Sequence, residues 1–78
     1  MRIYLLAEGQ PGVPTETVKS VHTTLAAAVG HAVEVLEVPV GKWIPHPPVD
    51  VEFYGYSKLW EARDTYWNFY ITEWETSD

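Results

Sequence analysis

A chain of 78 residues without cysteine is too short for a large enclosed pocket, because a domain of this size buries only roughly 60% of its unfolded surface; it also excludes a disulfide framework, a thiolate metal site and a thiol nucleophile. Hydrophobic residues at 46% and charged residues at 21% supply a core and argue against intrinsic disorder. Eleven acidic against five basic side chains leave a formal charge of -6, which repels phosphate backbones and anionic membranes and so disfavours direct nucleic-acid binding.

One domain, 1–78, is expected. The opening run Arg2-Ile3-Tyr4-Leu5-Leu6-Ala7 alternates, with Ile3, Leu5 and Ala7 on one face and Tyr4 and Leu6 on the other. Both faces can be covered, which suits an interior strand. One base and so short an apolar run do not make a signal peptide, and no stretch approaches the roughly 20 apolar residues of a membrane span. A cytoplasmic protein with no membrane partner is expected. Gly9-Gln10-Pro11-Gly12-Val13-Pro14 stops the strand. Residues 16–22 make a weaker strand, antiparallel to the first. Val18 and Val21 differ in parity there, which predicts a bulge or an edge position.

A helix follows. Thr23 or Thr24 supplies the N-cap, and Leu25, Ala28, Val29, Ala32, Val33 and Leu36 fall at i, i+3, i+4, i+7, i+8 and i+11, drawing one apolar stripe. Ala27, Gly30, His31, Glu34 and Glu37 form the solvated side, and Pro39 ends the helix. Residues 38–48 carry Pro39, Gly41, Pro45, Pro47 and Pro48 and are read as an irregular crossover pinned by Trp43 and Ile44. Lys42 to Pro48 also fits a basic residue ahead of a Pro-x-x-Pro spacing, although a stiff connector accounts for it better.

Residues 49–60 and 66–75 read as the two strands of a hairpin, and together they hold nine of the eleven aromatic residues. The turn is placed at 61–65, with a short helical turn from Ser57 as the competing reading, and Gly55 marks a bulge or a close backbone approach. Val51, Phe53, Trp67, Phe69 and Ile71 are assigned to the core face. The fold class expected is α+β, in the order β-β-α-β-β: a four-stranded, mainly antiparallel sheet with one helix on one face and the other face open.

The open face would present Tyr54, Tyr56, Tyr66, Tyr70 and Trp74, with Asp50 and Glu52 beside them and Glu73, Glu75 and Asp78 toward the terminal rim. Tyrosine and tryptophan combine apolar area with a polar tip and suit a partner interface; cross-strand aromatic pairs that simply stabilise a small sheet are the plainer account. On composition alone the acids are better accounted for by solubility than by a spacing that complements a basic groove. His22, His31 and His46 fall on a strand end, a helix and a proline-rich loop without the spacing of zinc ligands. Paired carboxylates lack a cleft to separate their pKa values, and no nucleophile elbow, phosphate loop or dinucleotide fingerprint is present. No catalytic residue, cofactor or metal is therefore expected, and the chain is read as a non-enzyme.

The opening strand Arg2 to Leu6, the alanine-rich helix after Thr23-Thr24 and the acidic aromatic end Tyr70-Ile71-Thr72-Glu73-Trp74-Glu75 together resemble small acidic accessory proteins of bacteriophages and mobile elements, among them anti-CRISPR and anti-restriction inhibitors. The likeness is one of size, charge and layout. It implies an inhibitor, working in the host cytoplasm if the chain is phage-encoded, that occludes a basic nucleic-acid-binding protein of a host defence complex, and it assigns no residue a role. A homo-oligomeric accessory module, with a homodimer packed through the same aromatics, is the alternative.

Overall fold

The computed structural model describes residues 1–64 and 67–77. In chain order it contains β1 (Arg2–Gly9), β2 (Thr17–His22), helix α1 (Leu25–Val35), a 3₁₀ turn (Val40–Lys42), β3 (Ile44–Pro45), a one-turn helix α2 (Val51–Tyr54), β4 (Lys58–Arg63) and β5 (Asn68–Glu75). The strands form one sheet in the order β2-β1-β5-β4-β3, with every neighbouring pair antiparallel. The α+β class and the antiparallel sheet agree with expectation, but there are five strands instead of four, because residues 44 and 45 add a short edge.

β1 lies inside the sheet, as its two apolar faces require, paired in full register with β5 from Arg2 opposite Glu75 to Gly9 opposite Asn68. β2 is an edge strand. Its register against β1 slips between Leu6, opposite Ser20, and Ala7, opposite Val18, so Lys19 is the extra residue of a bulge. The slip places Val18 and Val21 opposite Ala7 and Leu5 on one face, which reconciles two valines of opposite parity.

Thr24 is the N-cap of α1, its hydroxyl accepting the Ala27 N–H at 3.1 Å. Ala28 and Ala32 are fully buried; their small side chains let the helix approach the sheet closely. They meet Tyr4, Leu6, Ala62 and Ile71, with Leu25, Val29, Leu36, Trp43, Trp60 and Phe69 packed around them. Leu6 and Ile71 face each other across the β1–β5 ladder and have no exposed surface. Truncating either to alanine carries the cost of a cavity, about 2–5 kcal/mol. The helix ends as Leu36 and Val38 both donate to the Ala32 carbonyl while Glu37 adopts a left-handed φ of 58°.

The largest departure from expectation is at residues 49–57. Val49, Val51 and Phe53 alternate as a strand would, yet residues 51–54 are a helical turn and β4 begins only at Lys58. Local capping overrides the alternation. The Asp50 carboxylate accepts the Glu52 N–H at 3.0 Å, and Gly55 closes the turn at φ 86°, donating to the Val51 carbonyl at 2.8 Å; an aspartate start and a left-handed glycine stop satisfy both ends of one turn. Val51 and Phe53 are consequently exposed instead of facing α1. Trp67, also assigned to the core, is exposed ahead of β5. Phe69 and Ile71 do face the helix. Ile44, expected to anchor its loop, is exposed on β3, and Trp43 alone packs inward.

Candidate interaction surface

The face turned away from α1 is not bare. Tyr70 and Trp74 occupy it, as their parity requires, but each has partners within the chain. The Tyr70 hydroxyl accepts the Gly12 N–H at 2.9 Å and the Asn68 amide at 3.1 Å and donates to the Gln10 carbonyl at 3.3 Å, leaving the residue 2% exposed. Trp74 carries the segment after β3. The Tyr56 ring meets it at 5.6 Å and 63°, and a Cβ on Gly55 would stand 2.7 Å from its Cζ3. Tyr56 is thereby buried, and burial first, then the neighbouring Tyr54 and Tyr70, raise its pKa. The aromatic surplus expected on an open face thus forms a second, smaller packed layer.

A polar network continues beside it. Glu61 on β4 lies opposite Tyr70 and is buried. Its carboxylate accepts from Asn68 at 3.0 Å and from Arg63 at 3.1 Å, and it meets His46 at 3.3 Å. Burial alone would push its pKa up; the hydrogen bonds and charges of Arg63 and His46 outweigh burial and hold it below the ordinary value. The network ties the 10–13 loop and the start of the 46–57 segment to the central strands.

Glu73 departs furthest from its expected place. It lies on the α1 side of β5, opposite Tyr4 and Lys58, and is 6% exposed. Its carboxylate accepts from the Tyr4 hydroxyl at 2.9 Å and the Ser57 hydroxyl at 3.1 Å, with Arg2 Nε 3.8 Å away. It is a buried clamp between β1 and the end of the 46–57 segment, not part of an accessible rim. Glu75 is exposed, 3.5 Å from Arg2.

Of the nine expected contact residues, Asp50, Glu52 and Tyr54 stay together on an accessible element, α2 with its cap. Tyr56 and Tyr70 are buried, Trp74 is half-buried, Glu73 is engaged internally, and Tyr66, like Asp78 of the terminal rim, lies outside the described residues. Two residues assigned to the core join the group instead. Phe53 is 80% exposed, Val51 is exposed beside it, and Tyr54 is 50% exposed. The Phe53 and Tyr54 rings meet edge to face at 4.9 Å, and Tyr54 leans on Tyr56 at 5.7 Å. The signal in the chain was Asp50 and Gly55 bracketing four residues, a cap and a stop at one-turn spacing.

Backbone hydrogen bonds tie both flanks of the turn to the sheet. His46 donates its N–H to the Leu59 carbonyl, Val49 to Ser57 and Ser57 to Glu73, at 2.9, 3.2 and 2.9 Å. A separate cavity of about 240 Å³ lies between the end of α1 and β4. Its charged lining, Glu37, Lys42, Arg63 and Asp64, mixes signs and involves no residue of α2. Among the described residues no three His, Asp or Glu side chains converge as a metal shell, and no helix is long and apolar enough to cross a membrane. His31, expected on the solvated side of the helix, is half-buried and faces His22, the ring centres 5.1 Å apart. Compared with known proteins, the chain matches no family model, no curated sequence and no solved structure.

Proposed function

We propose that this chain is a non-enzymatic protein-binding module whose contact element is α2, and that it occludes a basic surface on its partner, as an inhibitor of a nucleic-acid-processing defence complex would. The observation that carries this reading is Phe53, an aromatic ring 80% exposed on a turn fixed at both ends. Leaving such a ring in water forgoes on the order of 1.5–3 kcal/mol of burial, and preorganised aromatic anchors are what binding hot spots are made of. Val51 and Tyr54 widen the apolar contact, while Asp50 and Glu52 set negative charge beside it. A partner of complementary chemistry has an apolar socket with a basic rim. The acidic balance of the whole chain speeds encounter with such a rim at low salt.

The reading is tested by affinity capture from a host lysate at low and high salt, with wild type beside Phe53→Ala. A basic nucleic-acid-binding protein retained by wild type and lost by the variant supports it; capture indifferent to Phe53 and to salt removes it. Self-association is the second reading, favoured by one observation: Val18 and Val21 stand exposed on the same face of the edge strand β2, where a second copy could add its own strand. Solution mass across dilution separates the two.

A further inference from the structure

The pair formed by His22 and His31 serves no purpose in the reading above. His22 closes β2 on the α1 side of the sheet, opposite Tyr4, and His31 reaches it from the middle of α1. Their rings stand 5.1 Å apart, tilted by 54°. Two imidazoles bound to one tetrahedral ion, each nitrogen about 2.0–2.1 Å from the metal, carry their ring centres about 5 Å apart. That spacing, which packed rings also adopt, leaves room for one ion held by both imidazoles.

We propose that His22 and His31 form a two-histidine site for a late divalent transition ion, Zn²⁺ foremost, which clips the edge strand β2 to helix α1. Three further features fit. Ser20 Oγ lies 2.7 Å from His22 Nε2, so Ser20 is the outer partner that orients a ligating imidazole and Nδ1 is the nitrogen left for the metal. Glu34 is exposed three residues after His31, on the same side of the helix, where its charge attracts a cation although it does not converge with the two rings as a third ligand. Both rings are half-buried, so an ion has access without the chain opening. Nitrogen ligands favour zinc, copper and nickel over magnesium and calcium, and a chain of charge -6 draws cations toward it.

The test is calorimetric titration of the full chain with Zn²⁺ at neutral pH, paired with melting curves in Zn²⁺ and in chelator. One-to-one binding is expected, with a melting midpoint that rises as free Zn²⁺ rises. His22→Gln and His31→Gln should each weaken binding on the order of tenfold or more, while His46→Gln, on another part of the sheet, leaves it unchanged. His31→Gln, on the helix surface, keeps the test decisive if the strand variant folds poorly. Magnesium in place of zinc should give no midpoint shift. Absence of one-to-one binding at about 0.1 mM Zn²⁺, a concentration that would move the melt for any micromolar site, overturns the proposal, and so does an affinity that His31→Gln leaves intact.

Discussion

The Tyr70 hydroxyl and the Gly12 amide meet at 2.9 Å across 58 positions of sequence, tying the first loop of the chain to the central strand. With Asn68 donating and Gln10 accepting as well, the hydroxyl is saturated. Tyr70→Phe keeps the ring and leaves these partners without theirs. The expected loss is about 1–3 kcal/mol, the cost of stranding buried polar groups, read by chemical denaturation, with faster hydrogen exchange at the Gly12 amide.

Gly55 holds two constraints at once, a φ of 86° and a Cβ position 2.7 Å from the Trp74 ring. Gly55→Ala meets backbone strain and a clash together, and should destabilise by about 1–3 kcal/mol. Because the same residue closes α2, the variant should also lose partner binding beyond what its stability predicts.

Glu37 supplies the opposite case. It adopts φ 58° without being glycine, a conformation that disfavours a side chain by about 1–2 kcal/mol. Glu37→Gly should therefore stabilise the fold, by about 0.5–1 kcal/mol once the added freedom of the unfolded chain is deducted. A higher melting midpoint checks it.

Acid should act through Glu61. Its folded pKa lies below the unfolded value of 4.5, so its contribution is fully present above that value and is lost as pH falls through the lower, folded one. Stability should fall with acid in that window, and Glu61→Gln should flatten the fall there while lowering stability at neutral pH. An unchanged acid limb in the variant would assign the loss to other carboxylates.

What could be read from the chain, and what could not, divides by the range of the forces involved. The stripe of α1 apart from Val33, which is exposed, the interior character of β1 and the parity of Tyr70 and Trp74 follow from periodicity, and the bulge follows from Val18 and Val21 differing in parity. The turn at 51–54 was hidden because Val49, Val51 and Phe53 satisfy a strand pattern while Asp50 and Gly55, two local backbone devices, decide the outcome. The partners of Glu61 and Glu73 were not legible at all. Tyr4 lies 69 positions from Glu73 and Asn68 seven from Glu61, and only strand register brings them together. A charge count could not separate a carboxylate that holds the sheet from one that faces a partner.

That separation governs how binding should be probed. Glu73→Lys would place a cation among Tyr4, Ser57 and Arg2 in a buried site and should unfold the chain, so loss of binding there would be uninformative. Glu52→Lys, on the exposed turn, should leave stability within about 0.5 kcal/mol while slowing association and reducing its salt dependence.

The most direct test is the affinity of the captured partner for wild type and for Phe53→Ala, with the melting curves of both as a control. An exposed ring contributes little to the fold, so the midpoints should agree, while the affinity should fall by at least about 2 kcal/mol, roughly thirtyfold. Equal affinities at equal stability would contradict the account, because the partner would then be bound by some other face.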